Sequence, residues 1–242
     1  LQKMYADANP CFRARALWLL GKIEGRADNY ARQAMKDPDP NIRITALRMI
    51  RQEAENVFPY VQLLCKDASP AVRRECLIAL RSMHTGHSNS ANLPNVWTQL
   101  ANQYDGKDRW YLEALGIAAE GHWDECLNAW LPGVNRDSAA ARDIIWRSRS
   151  SKTPELLADI IGNPDTPEAQ LPRYLRAFDY QDASARKPHL IAMAFGNNED
   201  HPRARLISGE ALGRLPKADV TAPDRRVALQ QIVGRMRGTS DY

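Results

Sequence analysis

Two pairs of side chains in this sequence have the types and the spacing of metal ligands. His84 and His87 stand three residues apart in a stretch rich in Gly, Ser and Asn, and His122 and Cys126 stand four apart on a predicted helix. Imidazole and thiolate groups are common zinc ligands, but a zinc site needs three or four protein ligands. Neither pair is complete by itself, so the sequence predicts no bound metal.

Motifs for nucleophilic catalysis and phosphate binding are absent from the sequence. It contains no G-x-S-x-G, no P-loop, no G-x-G-x-x-G and no H-E-x-x-H, the patterns that carry such chemistry. Four acidic residues lie close together and are interpreted as solvated helix charges: Glu113, Glu120, Asp124 and Glu125. A dyad of Cys126 with a histidine stays open, although no motif marks it. We expect no catalytic residue and no cofactor, and hence no enzyme.

Aromatic side chains near arginines suggest a different chemistry, the stacking of bases or sugars. Core filling is the alternative, and it is favoured for Trp110. It is also favoured for Trp123 and Trp130, which lie seven residues apart and share a helix face. Trp146 belongs to the same aromatic group. The candidate binding surface consists of Arg109, Tyr111, Arg142 and Arg147.

The bulk composition is that of a soluble globular chain. The 242 residues are 44% apolar and 26% charged, with a net charge of +4, well short of the dense basic face of a dedicated nucleic-acid binder. The longest apolar run, ALWLL, is too short to span a membrane, so no membrane contact is expected from this segment. The chain starts at Leu1 within a predicted helix, which indicates a piece of a longer protein, and a missing leader therefore excludes nothing.

A repeat with a period of 30 residues positions the side chains of the first third of the chain. The apolar positions fall on one face of a helix, and each copy has a proline at the helix start, where the missing N–H is harmless. Each copy is therefore predicted to form a helix, a polar turn and a second helix. The aligned positions are Asp7, Asp37 and Asp67; Pro10, Pro40 and Pro70; Phe12, Ile42 and Val72; Arg13, Arg43 and Arg73; Ala16, Ala46 and Cys76; Leu17, Leu47 and Leu77; and Leu20, Ile50 and Leu80.

A fourth copy follows after an insertion. Residues 105–118 fit the template if about eight residues have been added, and a loop predicted at 83–92 holds them. In this register Trp110 takes the core position of Val72, and Tyr111 takes the position of Arg73. This broken copy is where we expect a special surface.

The later copies are degenerate but still have the pattern of helices behind turn signals, with a frayed tail at 238–242. One helical pair cannot bury its apolar face alone, whereas stacked pairs share a continuous core. The sequence therefore predicts an all-α fold, an α-α superhelix (solenoid) of about six to seven helical pairs, forming a single domain over residues 1–242.

The pattern D-x-x-P-x-[apolar]-R-x-x-A-L resembles the HEAT repeat in its short bacterial form, most strongly over residues 1–82. In that family the turn Asp and the helix Arg contact their equivalents in the next repeat. An arginine row that binds phosphates or acidic peptides is the alternative. The resemblance implies a structural ladder between repeats, made of Asp7, Asp37, Asp67, Arg13, Arg43 and Arg73.

Residues 104–130, YDGKDRWYLEALGIAAEGHWDECLNAW, carry a narrower resemblance. They are similar to the helical-repeat segment of planctomycete and verrucomicrobial multidomain proteins described as membrane-bound dehydrogenase-like or haem-binding CxxCH proteins. In those proteins a β-propeller, a HEAT-like segment and a c-type cytochrome domain share one exported chain. This sequence has no CxxCH motif, so no haem is implied. The resemblance implies a helical spacer in a periplasmic or exported protein whose other domains carry any oxidoreductase activity.

Taken together, the sequence predicts a non-catalytic helical-repeat scaffold or spacer. We expect it to contact another protein or the neighbouring domains of its own chain, through the face lined by the second helices, and to bind no specific nucleic acid. The alternative is a HEAT-like DNA glycosylase, which uses Trp and Asp in a basic groove, or another nucleic-acid-binding repeat protein. A cofactor-related HEAT lyase, which requires a cofactor-sized apolar pocket, is a third possibility.

Overall fold

A computed structural model describes residues 1–23, 25–81, 92–196 and 201–237. Within these ranges all regular secondary structure is helical, which confirms the predicted all-α class. The predicted tail at 238–242 and most of the predicted loop at 83–92, with His84 and His87, lie outside the described residues. No helix of the described chain combines the length and the apolar character that crossing a bilayer requires.

The chain forms two compact units, Leu1–Ile144 and Ile145–Tyr242, and the boundary between them falls within a helix. The helices of the first unit are α1 (Gln2–Tyr5), α2 (Pro10–Gly21), α3 (Ala27–Ala34), α4 (Pro40–Glu53), α5 (Phe58–Leu64), α6 (Pro70–Leu80), α7 (Leu93–Ala101), α8 (Arg109–Ala118) and α9 (Trp123–Trp130). The boundary lies in α10 (Ala139–Arg147), and the second unit continues with α11 (Thr153–Gly162), α12 (Leu171–Ala177), α13 (Ala183–Phe195), α14 (Pro202–Arg214), α15 (Lys217–Val220) and α16 (Arg226–Arg237).

The first three repeat copies start their long helices where the sequence predicts. Pro10, Pro40 and Pro70 are the first residues of α2, α4 and α6. The side chains of Asn9 and Asp39 each accept a hydrogen bond from the backbone N–H two residues ahead. These bonds satisfy donors that the first turn of a helix leaves without a partner, which fixes the helix starts.

Four helices of the first unit form a row in which α2 packs on α4, α4 on α6 and α6 on α8. The intervening helices α3, α5 and α7 pack on α4, α6 and α8 respectively. The residues predicted to face the core, Ile42, Ala46, Leu47 and Ile50, are all buried. The repeat phase read from the sequence is therefore correct for α4.

The second unit is built from its own helix contacts. α11 packs on α12 and α13, α13 packs on α14, and α14 packs on α16. The Arg203 guanidinium donates hydrogen bonds to the carbonyl oxygens of Ile161, Asn163 and Thr166, at 2.9, 2.7 and 2.6 Å. It thereby satisfies carbonyls that the end of α11 leaves open.

Candidate binding groove on the first unit

Ion pairs join equivalent positions of consecutive repeat copies. Arg43 contacts Asp67 twice, with 2.7 Å from Nε to Oδ2 and 2.8 Å from Nη2 to Oδ1. Arg13 contacts Asp37 once, at 3.3 Å from Nη2 to Oδ1. Both pairs are largely shielded from solvent, so these guanidinium groups act within the repeat stack and do not form a free anion-binding row.

Arg43 and Arg73 also hold the turns of their own copies through hydrogen bonds to backbone carbonyl groups. Nη1 of Arg43 donates to the carbonyl oxygens of Asp37 and Pro38, at 2.7 and 3.1 Å, and Nη1 of Arg73 does the same at Asp67, at 2.7 Å. Arg73 differs from Arg13 and Arg43 in its partner from the next copy. Its guanidinium group lies over the Tyr111 ring, 5.8 Å from the centroid. A cation–π contact thus stands where the earlier copies have a carboxylate.

One extra residue in the fourth turn shifts the register. In the first three copies the turn Asp lies two residues before the helix-capping residue, but Asp105 lies three before Asp108. Asp105 Oδ1 still accepts the N–H groups of Lys107 and Asp108, and the chain accommodates the extra residue with Gly106 at φ +76°. The helix of the fourth copy therefore starts one residue later than the sequence template assumed.

The predicted places of Trp110 and Tyr111 are both corrected by this shift. Trp110 is the second residue of α8, at the position of Asn41 in α4, and it is 71% exposed. Tyr111 takes the core position of Ile42 and is only 2% exposed. It does not replace a ladder arginine, and it is not part of a surface.

The buried Tyr111 is held by polar and aromatic contacts. Its hydroxyl donates to the carbonyl oxygen of Leu100 at 2.9 Å, and its ring stacks on that of Tyr104 with 6.0 Å between centroids. Burial raises the pKa of Tyr111 and outweighs the opposing effect of Arg73. These contacts fix α8 against α7 and the residues that follow it.

The other members of the predicted binding surface differ in their exposure to solvent. Arg109 is exposed, but Arg142 is only 8% exposed and pairs with Asp137 at 3.3 Å between Nη2 and Oδ1. Arg147 is half-buried and belongs to the second unit. The prediction of a binding surface made of all four residues is therefore wrong, because Tyr111 and Arg142 are both buried.

Two of the three tryptophans predicted to be internal are internal, and Trp110 is the exception. Trp123 and Trp130 are both buried, and each ring meets the edge or face of Trp97, at 5.9 and 6.3 Å between centroids. The indole N–H of Trp97 donates to the carbonyl oxygen of Leu115 at 3.0 Å. This cluster joins α7, α8 and α9, so the aromatic residues of this segment contribute to the core.

Cys126 and His122 differ in their surroundings, since Cys126 is buried and His122 lies beside a carboxylate. Burial, with a contribution from Glu125, raises the pKa of Cys126 to about 12, so this thiol stays protonated near neutral pH. His122 lies beside Glu125, at 3.9 Å from Nδ1 to Oε1. Within the described part of the chain, no group of three or more His, Cys, Asp or Glu side chains is arranged to hold a metal ion.

A groove across α4, α6 and α8 is the site that the sequence did not predict. It has a volume of about 570 Å³, and the exposed Trp110 indole forms part of its wall. Its apolar lining comes from three consecutive helices: Ile44, Ala71, Ile78, Ala114 and Ile117. A register based on the helix-capping residues 9, 39, 69 and 108 would have placed Trp110 on this face.

Three arginines line the same groove and are tied to two carboxylates. Glu75 accepts a hydrogen bond from Arg48 at 2.8 Å on one carboxylate oxygen and forms an ion pair with Arg51 at 3.5 Å through the other. Arg74 Nη1 lies 3.3 Å from Asp108 Oδ2. The hydrogen bond to Glu75 raises the pKa of Arg48 despite some burial. The groove thus combines an aliphatic floor, guanidinium groups and one exposed indole.

A second groove, in the second unit, has a structural explanation. It has a volume of about 510 Å³ and lies beside Arg203 and His201. The Arg203 guanidinium is occupied by the three carbonyl oxygens at the end of α11, and Nδ1 of His201 accepts the N–H of Arg203 as a helix cap, at 3.2 Å. Its polar groups are thus used for helix ends, which makes the groove of the first unit the stronger candidate.

Comparison with known proteins adds no assignment. No protein-family model matches this chain. No curated protein matches it at a significant level. A functional conclusion must therefore come from the geometry of the groove and from the repeat pattern.

Proposed function

We propose that this chain is a non-catalytic helical-repeat scaffold that binds a protein through the groove across α4, α6 and α8. The observation that carries the proposal is the exposure of Trp110, at 71%, on the wall of an apolar groove. Tryptophan and arginine are enriched among the residues that dominate protein–protein binding. Such a side chain adds no core packing when it points to solvent, so a binding role accounts for it better than stability does.

The proposed architecture is a HEAT-like solenoid. It is supported by the 30-residue step between Pro10, Pro40 and Pro70 and by the Arg43–Asp67 contact between consecutive copies. Solenoids offer an extended concave surface to their partners. In the narrower resemblance the partner is a neighbouring domain of an exported multidomain chain, and the scaffold serves as a spacer.

One observation favours nucleic-acid binding instead, since an exposed indole beside arginines is able to stack on a base. The arrangement of charge opposes it. Arg48 and Arg51 share Glu75, and Arg74 is beside Asp108, so the groove has no row of uncompensated cations along which a phosphate backbone would lie. The net charge of +4 is also modest.

Selection from a phage-displayed library of random 12-residue peptides tests the proposal. We expect clones that bind the wild-type chain, bind Leu63→Ala equally well, and lose binding to Trp110→Ala. Leu63 is a matched control because it is 57% exposed on α5, outside the groove.

Two results would overturn the proposal. One is a library selection in which no enriched clone depends on Trp110. The other is tight binding of duplex or single-stranded DNA at physiological salt that Trp110→Ala abolishes, because weak and strongly salt-dependent binding is only the background expected of any mildly basic protein.

A further inference from the structure

The cations and the carboxylates of the groove differ in their access to solvent. The Glu75 side chain is 9% exposed, whereas those of Arg48 and Arg51, its two partners, are 56% and 30% exposed. Asp108 is also engaged, since its Oδ1 accepts the N–H groups of two residues in the first turn of α8 and its Oδ2 faces Arg74. The Glu75 carboxylate is therefore directed inward and the Arg48 guanidinium group outward, whereas the Arg74 and Asp108 side chains are similarly accessible, at 37% and 29% exposed.

The Arg48 and Arg74 guanidinium groups retain hydrogen-bonding capacity. A guanidinium group has five N–H donors. In the described structure Arg48 donates one hydrogen bond, to Glu75, and Arg74 donates one, to Asp108. The remaining donors are accessible to an anionic acceptor on a ligand, with which guanidinium groups form their strongest hydrogen bonds when it is a carboxylate or a phosphate.

The apolar floor of the groove favours a carboxylate on a peptide over a phosphate on a nucleic acid. Ile44, Ile78 and Ile117 provide one half-buried aliphatic side chain from each of three helices. Aliphatic side chains favour the apolar residues of a peptide, whereas proteins that bind single-stranded nucleic acid stack successive bases on aromatic side chains. Trp110 is the one aromatic residue in the described lining.

We infer that the ligand of this groove is a short protein segment in which apolar side chains are interleaved with carboxylates. This inference rests on the proposed function and specifies its partner. The apolar side chains lie on the isoleucine floor and against Trp110, and the carboxylates accept hydrogen bonds from the N–H donors of Arg48 and Arg74 that Glu75 and Asp108 leave unused. Glu113 is a remaining acidic group of the lining, so a mixed segment fits better than a purely acidic one.

The length of the segment follows from the width of the row. Neighbouring helices lie about 8–10 Å apart, so a groove that crosses three helices is about 16–20 Å long. A helical segment of about 12 residues covers this distance at 1.5 Å per residue, and an extended segment of about six residues covers it at 3.3 Å per residue. A 12-residue probe is long enough in either conformation.

Three pools of fluorescein-labelled 12-residue peptides test this inference by fluorescence anisotropy. All pools carry the same mixture of Leu, Ile, Phe and Trp at six positions, and the six interleaved positions are all Glu, all Gln or all Lys. We expect the Glu pool to bind at least about tenfold more tightly than the Gln pool, as one added charge-assisted hydrogen bond would give, and the Lys pool to bind least. Equal binding of the Glu and Gln pools, or preference for Lys, overturns the inference.

Arginine variants test which side chains cause the preference for the Glu pool. Arg48→Gln and Arg74→Gln should each reduce the Glu-over-Gln ratio several-fold, whereas Arg32→Gln should leave it unchanged, since Arg32 is an exposed arginine on α3. Thermal unfolding checks each variant, and the Arg74 variant suffices if the Arg48 variant fails to fold. An unchanged ratio in a folded Arg74→Gln variant overturns the inference. If Trp110-dependent peptides from the phage library prove to be basic, the inference fails while the proposed function stands.

Discussion

Arg43 and Asp67 meet through two parallel hydrogen bonds, at 2.7 and 2.8 Å, although 24 residues separate them in sequence. The two side chains are only 14% and 9% exposed. The equivalent pair one copy earlier, Arg13 and Asp37, makes a single contact at 3.3 Å, and Nε of Arg13 is buried without a hydrogen-bond partner in the described structure. Equivalent positions of the repeat thus contribute unequally.

We predict that Asp67→Asn destabilises the first unit more than Asp37→Asn does. Loss of the charge at Asp67 weakens two short bonds in a shielded site and should lower the free energy of unfolding by about 2–3 kcal/mol. The same change at Asp37 should cost about 1 kcal/mol, because that pair is longer and more exposed. Urea unfolding of both variants at pH 7 measures the difference. Equal costs would mean that the second hydrogen bond adds nothing.

The Asp67 carboxyl should also make stability depend on pH. Burial alone would raise its pKa, but the hydrogen bonds from Arg43 and from the Ser69 N–H, with the charges of Arg43 and Arg73, lower it below the usual value. A lowered folded-state pKa gives stability that is complete above the unfolded-state pKa of about 4 and is lost as the pH falls through the folded-state value. The gap between wild type and Asp67→Asn should therefore shrink below about pH 4. A gap that is the same in urea titrations at pH 3 and pH 7 would contradict this.

The core phase of α4 gives a third prediction. Leu47 is fully buried, so Leu47→Ala should lower the free energy of unfolding by about 2–5 kcal/mol, through lost burial and the cavity left behind. Leu63→Ala is the matched control, since Leu63 is 57% exposed and its truncation should stay within about 0.5 kcal/mol. The melting temperatures of both variants test this, and no change for Leu47→Ala would show that its assignment to the core is wrong.

Sequence reasoning succeeded where the repeat is regular and local. Helix starts at Pro10, Pro40 and Pro70 follow from residue types within a few positions, and the buried face follows from helical periodicity. The aligned position is not equally buried in every copy, however. Ile42 is fully buried but Phe12 is 48% exposed, because α2 begins the row and only the short α1 precedes it.

The groove was not predicted because it depends on a one-residue shift between two possible alignments of the fourth copy. An alignment on the turn Asp places Trp110 in the core, whereas an alignment on the capping residue Asp108 places it on the surface. The two alignments differ only in whether the turn at Gly106 holds an extra residue. The charge arrangement was also hidden, since the pairing of Arg48 with Glu75 joins two helices across 27 residues.

Gly106 itself provides the fourth prediction. A Cβ atom there would lie 3.6 Å from Ala140, an ordinary contact, so space does not prevent Gly106→Ala. The backbone is the obstacle, because Gly106 has a φ of +76°. A non-glycine residue in the left-handed region costs about 1–2 kcal/mol, so Gly106→Ala should lower the free energy of unfolding by about that amount. Gly133→Ala is the control, because its Cβ meets nothing within 4 Å and its φ is not positive. Thermal unfolding should separate the two variants, and equal melting temperatures would contradict the strained turn.

The cysteines give the last prediction, which tests burial without changing the core. Cys11 is exposed, whereas Cys65, Cys76 and Cys126 are buried. Burial raises the pKa of each of these three thiols, that of Cys126 to about 12, and only the thiolate attacks a disulfide reagent. At pH 8 the reduced native chain should therefore release one equivalent of chromophore rapidly from Ellman's reagent, and four after unfolding in guanidinium chloride, as the four cysteines require. Cys11→Ser should abolish the rapid phase. A second rapid equivalent in the native protein would show that one of the three buried thiols is accessible, and the repeat packing derived for the first unit would then be wrong at that position.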